Sequence, residues 1–365
     1  MKIGIVGTRG IPNFYGGFEE FAQHLSESLV KRGHQVSVYN PHSHTYKKSD
    51  WCGVDIIRCY DPESKIGTIG QFIYDFNCIL DSRKRGFDII LQLGYTSSSI
   101  WNWMFSKESC IITNMDGLEW KRSKYSRIVR VFLQFAERLA IYFSDHLIAD
   151  APAIKSYLDK KYHIKSSYIP YGAVLSEKFD KSFLSEYNLD NSEYYMLVAR
   201  MEPENNIQMI LEAFTNCRSL VNKRFIVAGN MNSSYGRYIR ERFSDSRILY
   251  LGYISDKEKL NSLRHFSDIY FHGHSVGGTN PSLLEAMACG SYICAHDNQF
   301  NKYILSEDAM YFKDTRDIAN LLNETSLPHN RERWVLNNLQ KIRDNYSWKK
   351  IVDDYESIMS MREGL

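Results

Sequence analysis

Excess charge of one sign, paired cysteines and long apolar runs are all missing from this 365-residue sequence. Lysine and arginine number 45 against 43 for aspartate and glutamate, a net charge of +2. That balance argues against a chain that coats nucleic acid by bulk attraction to phosphate. The seven cysteines, at 52, 59, 78, 110, 217, 289 and 294, include no C-x-x-C pair, so neither a zinc ribbon nor a dithiol redox motif is indicated. Their odd number, with no signal peptide, reads as reduced thiols in a cytoplasmic protein. No apolar run approaches the roughly 20 residues that span a bilayer, so membrane contact is expected to be peripheral. Repeats and low-complexity tracts are absent too. What is present is 44% hydrophobic and 14% aromatic residues, enough for a sizeable core, at a length that favours two domains.

Short apolar runs alternate with longer amphipathic ones. Strands are expected at 2–6, 35–39, 55–59, 88–91, 109–113 and 146–149, with helices near 19–31, 70–84, 125–143 and 152–161. A second series follows, with strands at 194–198, 224–228, 248–251, 269–272 and 292–295 and helices near 206–216, 257–264 and 282–289. This βαβ order predicts two doubly wound α/β domains with parallel sheets, residues 1–172 and 173–345, and a last amphipathic helix from about 346. Ligands of such sheets bind beyond the carboxyl ends of the strands, so two facing sheets imply a cleft.

Two glycine-rich segments interrupt the pattern. "GTRGIPNFYGGFEEF" (7–21) lies between the first strand and the first helix, where bare backbone N–H groups and a helix amino end can hold an anion. A dinucleotide fold wants G-x-G-x-x-G and an acid about 20 residues on. Here the glycines fall at 4, 7 and 10, and the second strand ends Val38-Tyr39-Asn40-Pro41 without an acid, which disfavours an oxidoreductase. Gly16 and Gly17, just before Phe18-Glu19-Glu20, remain as a place for backbone to touch phosphate. The alternative is that these glycines only shape a tight turn. The second segment, "FHGHSVGGTNPSLLEAMACGSYICA" (271–295), reads strand, loop, helix and strand, with Pro281 at the first helical position. It offers backbone donors, the Thr279 hydroxyl toward the cleft, and Glu285 as an acceptor for a ribose diol. His272 and His274 have a spacing that metal ligands can adopt, but packing is the commoner fate of such a pair.

These stretches resemble the family 4 glycosyltransferases, retaining enzymes of the GT-B fold: "PSLLEAMACG" (281–290) after Ser275, "LVARMEPENNIQMILEAF" (197–214), and a terminal helix with Trp348. "NMDGLEWKRSKY" (114–125), "EPENN" (202–206) and "SVGGTNPSLLEAM" (275–287) narrow the resemblance to a bacterial rhamnosyltransferase-like subgroup that builds capsule, O-antigen or rhamnan chains. The resemblance implies two Rossmann-like domains facing across a cleft, with the C-terminal helix crossing back to the first. It also implies transfer of a sugar, L-rhamnose from dTDP-L-rhamnose, to a lipid-linked or growing cell-surface glycan, without metal or cofactor. Arg200 falls on the arginine that meets the donor diphosphate, and Glu285 on the glutamate that holds the nucleotide ribose. Gly16, Gly17, Asn205, Asn206, Gly277, Gly278, Thr279 and Asn280 complete the implied donor site. Arg9, Tyr15, Asp116 and Lys121 fall on the acceptor side. Two positions depart from the family: its first glutamate is Gly277 here, and its lysine is Asn205. A 6-deoxy sugar has fewer hydroxyls to hold, which fits the glycine. A UDP- or GDP-sugar donor, or a sugar-nucleotide-binding subunit without turnover, are the alternatives.

Asp116 and Glu119 are the carboxylates expected at the end of a first-domain strand, to orient the acceptor or take its proton; for Asp116 the competing role is a turn or N-cap aspartate. The basic run Lys121–Arg127, followed by Arg130 and an apolar stretch, is either a solvated helix face or a contact with anionic lipid at the inner face of the plasma membrane.

Overall fold

A computed structural model describes residues 1–14, 16–122, 125–190, 192–217, 220, 222–323 and 330–361. The chain divides into two compact units, Met1–Tyr171 with Trp348–Leu365, and Gly172–Ser347.

The first unit is built on β1 (Lys2–Val6), β2 (Gln35–Pro41), β3 (Asp50–Trp51), β4 (Val54–Cys59), β5 (Ile89–Leu93), β6 (Cys110–Asn114), β7 (His146–Ala149) and β8 (Ser167–Tyr168). Its sheet order is β3-β4-β2-β1-β5-β6-β7-β8, parallel except for the β3–β4 pair. The central strands β1 and β5 are continuous apolar runs because helices cover both faces. Those helices are α1 (Gly17–Lys31), α2 (Glu63–Ile66), α3 (Ile69–Ser82), α4 (Arg127–Phe143) and α5 (Pro152–Tyr162). In α1, Phe21, Ala22, Leu25 and Leu29 recur every three or four residues and are buried.

The second unit contains β9 (Tyr194–Val198), β10 (Arg224–Ala228), β11 (Ile248–Gly252), β12 (Ile269–His272), β13 (Ile293–His296) and β14 (Met310–Phe312). They form one parallel sheet, β11-β10-β9-β12-β13-β14. Around it lie α6 (Ser182–Ser185), α7 (Ile207–Asn216), α8 (Ser234–Arg242), α9 (Lys257–Phe266), α10 (Pro281–Ala288), α11 (Gln299–Leu305), α12 (Thr315–Asn323) and α13 (Arg331–Asn345). Tyr195, Phe214, Phe225 and Phe271 pack edge to face at the centre of its core.

The last helix, α14 (Trp348–Ser360), belongs to the first unit. Phe21 of α1 meets Trp348 and Tyr355 at centroid distances of 5.9 and 5.1 Å, and the His24 ring stacks on Trp348 at 4.5 Å. Arg32 reaches Asp353 and Glu356 at 2.5 Å each. No helix among the described residues is long and apolar enough to cross a membrane. Helices α2, α6, α8, α11, α12 and α13 and strands β3, β8 and β14 lie outside the expected elements.

Candidate functional site

In each sheet, strand addition switches sides once: between β1 and β5 in the first unit, and between β9 and β12 in the second. The crevice beyond such a switch point is where open α/β sheets take ligands. Both glycine-rich segments follow these strands.

In the second unit, the segment after β9 is tied to the segment after β12. Asn206 Nδ2 donates to the Gly273 carbonyl at 2.8 Å. Ser275 donates from its backbone N and from Oγ to the Glu204 carbonyl at 3.1 and 2.8 Å. Asn205 Nδ2 closes the first segment on the Arg200 carbonyl at 2.7 Å. The two segments approach so closely that a Cβ on Gly273 would lie 2.1 Å from the Asn205 carbonyl oxygen, a contact only glycine allows. On the other side, the His274 carbonyl accepts from Asn298 Nδ2 and Asn301 Nδ2 at 3.0 and 3.1 Å. The loop is therefore held by its backbone. Arg200 is exposed, and its guanidinium has no protein partner among the described residues.

Gly277 has φ +123°, with nothing within 4 Å of a Cβ built there. Backbone conformation, not space, demands glycine at this position. Asn280 caps α10, its Oδ1 accepting from Ser282 N at 3.0 Å, and Pro281 takes the first helical position as expected. Thr279 is buried, a correction to the expectation of a hydroxyl displayed to ligand. Asn205, Asn206 and Asn280 likewise direct the amide groups just described at the loop itself. Glu285 lies one turn into α10 with its side chain 41% exposed, its Oε2 held at 2.5 Å by Nη2 of the fully buried Arg264. His272 is fully buried and stacks on His274 at 4.4 Å. Neither of its ring nitrogens has a hydrogen-bond partner among the described residues, and burial, with His274, His296 and Arg264 nearby, holds its pKa well below the usual histidine range. Among the described residues no group of three or more His, Cys, Asp or Glu is placed to hold a metal ion.

In the first unit, the glycines of 7–17 separate into two kinds. Gly7 and Gly10 have φ of +84° and +98°, and a Cβ at either would collide with Leu93 O at 2.3 Å or with Asn40 at 2.5 Å; these two shape the turn. Gly16, the residue preceding α1, is extended at φ −168°, which any residue adopts, and the nearest atom to a Cβ there is Glu19 Oε2 at 3.3 Å. Gly17 opens the helix. Beneath the loop, buried Glu19 accepts from Arg9 N at 2.7 Å, and burial raises its pKa against the opposing hydrogen bonds. The Arg9 guanidinium forks onto Glu63 at 2.6 and 2.9 Å.

Asp116 follows β6 in a left-handed conformation, φ +49°, its N donating to Asn114 Oδ1 at 2.9 Å. Asn114 Nδ2 in turn donates to Tyr355 OH at 3.0 Å, so α14 supports this turn. A non-glycine residue held there stores local strain of about 1–3 kcal/mol, commonly found at functional positions. Glu119 is engaged with Arg122 at 2.7 Å, both side chains nearly buried, and Lys121 is exposed over the Trp120 ring. Tyr15 lies outside the described residues. Sequence reasoning missed the roles of Glu19, Glu63 and Arg264. Glu19 had one signal, an acid in the first turn after two glycines; the partners of the other two lie 54 and 21 residues away and leave no local pattern.

Residues 1–174 match the family described as a domain of unknown function, DUF1972, and residues 180–332 match the family described as glycosyl transferases group 1. An uncharacterized glycosyltransferase of Methanocaldococcus jannaschii is 23% identical over 95% of this chain and 96% of its own. Among solved structures, sucrose-phosphate synthase from Thermosynechococcus elongatus aligns with a TM-score of 0.79 at 15% identity, covering 100% of this chain and 99% of that one. Anabaena HepE, in complex with UDP and glucose, aligns at 0.76 and 13% identity over 99% of both chains. The fold is therefore GT-B, its first half similar to DUF1972 domains and its second half to the group 1 glycosyl transferases.

Proposed function

We propose that this glycosyltransferase moves L-rhamnose from dTDP-L-rhamnose, with retention, onto a lipid-linked or growing cell-surface polysaccharide. The observation that carries the donor site is Arg200, an exposed residue whose guanidinium has no partner among the described residues, in a segment tied to a loop whose backbone is already fixed by Glu204, Asn206, Asn298 and Asn301. A preorganised cation of this kind stabilises a leaving diphosphate as its charge grows. Gly16 supports a close approach of phosphate, since its extended conformation does not itself demand glycine. Asp116, held on its turn by Asn114, orients the acceptor hydroxyl, while the donor phosphate assists removal of its proton on the same face. Glu119 stays with Arg122. The 6-deoxy sugar is favoured by Gly277 and Asn205, which leave fewer polar groups for sugar hydroxyls and phosphate. The complex of Anabaena HepE with UDP and glucose keeps a UDP-sugar as the alternative donor.

A lipid-borne acceptor is supported by α4, whose outward face carries Ile128, Val131 and Phe135 at 82%, 67% and 52% exposure together with exposed Arg127 and Arg138. The only acid on this helix, Glu137, is buried and accepts from Tyr157 and Tyr162. An apolar stripe rimmed by cations and free of anions matches an anionic membrane surface.

The test is release of nucleoside diphosphate from a panel of dTDP-, UDP- and GDP-sugars in the presence of a lipid-diphosphate sugar acceptor. Release from dTDP-L-rhamnose is expected, falling about 10²–10³-fold in Arg200→Ala and markedly in Glu285→Ala. Release from another donor would replace the sugar. Nucleotide binding without release would make the protein a binding subunit.

A further inference from the structure

Arg264 heads the fully buried side chains of the described residues by volume. A cation withdrawn from water is costly unless its hydrogen bonds are met. Here Nη2 donates to Glu285 Oε2 at 2.5 Å and Nη1 to Asn261 Oδ1 at 3.1 Å, while Nε has no partner among the described residues. The shorter of the two bonds runs outward: the Arg264 side chain is 2% exposed, its carboxylate partner 41%. Stability alone does not account for this arrangement. An apolar residue of similar size is often as stable in such a slot, and the unmet Nε adds a further cost.

The guanidinium is also tied to the helix that carries its partner. Asn261, one turn before Arg264 on α9, donates from Nδ2 to Ser176 Oγ at 2.8 Å, and Ser176 N donates to the Ala288 carbonyl, at the end of α10, at 3.1 Å. Hydrogen bonds therefore close a ring from Glu285 through Arg264, Asn261 and Ser176 back to α10. A planar fork held at two of its nitrogens has a defined orientation, so Glu285 is kept in one place before any ligand arrives. A half-exposed glutamate without such a partner moves among rotamers, and a ligand that uses it must first order it. The contact still leaves the carboxylate able to accept hydroxyls: Oε1 receives no hydrogen bond from any described residue, and Oε2 keeps a second lone pair. We propose that Arg264 is a positioning residue for nucleotide binding: anchored by Asn261, it preorganises Glu285 to receive the hydroxyls of the nucleotide pentose. This deepens the proposed function and rests on the reading of Glu285 as the group that meets that pentose.

Titration calorimetry of the full chain with dTDP and with UDP tests this through a double-mutant cycle of Arg264→Met, Glu285→Ala and the two combined. Arg264→Met, which keeps a long side chain in the buried slot, is expected to weaken nucleotide binding about fivefold, the scale of ordering one long side chain. In the Glu285→Ala background the same substitution is expected to change affinity by about twofold or less, because the group it acts through is gone. A merely structural arginine would weaken binding by the same factor in both backgrounds. That result overturns the proposal, as does wild-type affinity in Arg264→Met. Asn261→Ala frees one arm of the fork without removing the buried charge, and is expected to weaken binding about twofold, again only while Glu285 is present. It carries the cycle if Arg264→Met does not fold, as judged by near-ultraviolet circular dichroism. Unchanged affinity in Glu285→Ala alone, or failure of both nucleotides to bind the wild type, overturns the reading of Glu285 itself and the proposal with it, an outcome distinct from the others.

Discussion

Folding takes His272 out of water and gives neither ring nitrogen a partner among the described residues. The unfolded chain binds a proton at this residue near pH 6.5, whereas the folded chain, with its pKa depressed, does not. Stability from this residue is therefore complete above about pH 6.5 and lost as pH falls below it. His272→Phe keeps a ring against His274 and sacrifices no hydrogen bond. Thermal unfolding between pH 7.5 and 5 is expected to show an acid-side loss smaller than in the wild type by about 1 kcal/mol at pH 5.5. Equal slopes in the two proteins would remove His272 as the source. The same residue illustrates what a spacing motif omits: His272-x-His274 leaves ligation and packing both open, packing being the commoner, and the stacking of the two rings depends on how the chain turns after β12.

Helix α4 places the most exposed of its apolar residues on a face with no acid. Ile128→Glu and Phe135→Glu change side chains that face outward, so both variants are expected to fold as the wild type does. Co-sedimentation with vesicles containing phosphatidylglycerol is expected to fall at least about fivefold in each, while vesicles of neutral lipid bind the wild type weakly. Undiminished binding by both variants would assign the face another use. At this scale the sequence was most readable where burial is strongest. Strands β1, β5, β9 and β12 are apolar runs between turn residues, and α1 and α7 carry plain helical stripes. Helix α8 buries only Gly236 and Ile239, and α13 only Asn338 and Ile342, too little apolar face to announce a helix. The short strands β3, β8 and β14 offer two or three residues each. In the candidate site, the loops could be found because glycine and proline mark them. The pairs Arg9–Glu63, Asn114–Tyr355 and Arg264–Glu285 could not, since the topology alone brings their members together.

The whole molecule is two units of different continuity: Gly172–Ser347 is one stretch of chain, whereas the first unit closes only when Trp348 onward returns to it. Ala173 pairs with Ser347, and its N donates to the Tyr346 carbonyl at 2.8 Å, so the outgoing and returning passages lie side by side. A chain ending at Ser347 loses Trp348 and Tyr355 from above Phe21 and leaves Asn114 without its tyrosine. Limited proteolysis of that truncation is expected to degrade the first unit while sparing a fragment from the second; equal resistance of both would make α14 dispensable. During synthesis the distinction becomes one of time. The ribosome adds about 180 further residues, roughly 10–35 s of elongation, between the end of the first segment and the helix that completes it. The second unit, though encoded later, has all its parts first. The nascent protein therefore completes its second unit before its first, with α1 waiting bare-faced on the growing chain until the final residues emerge.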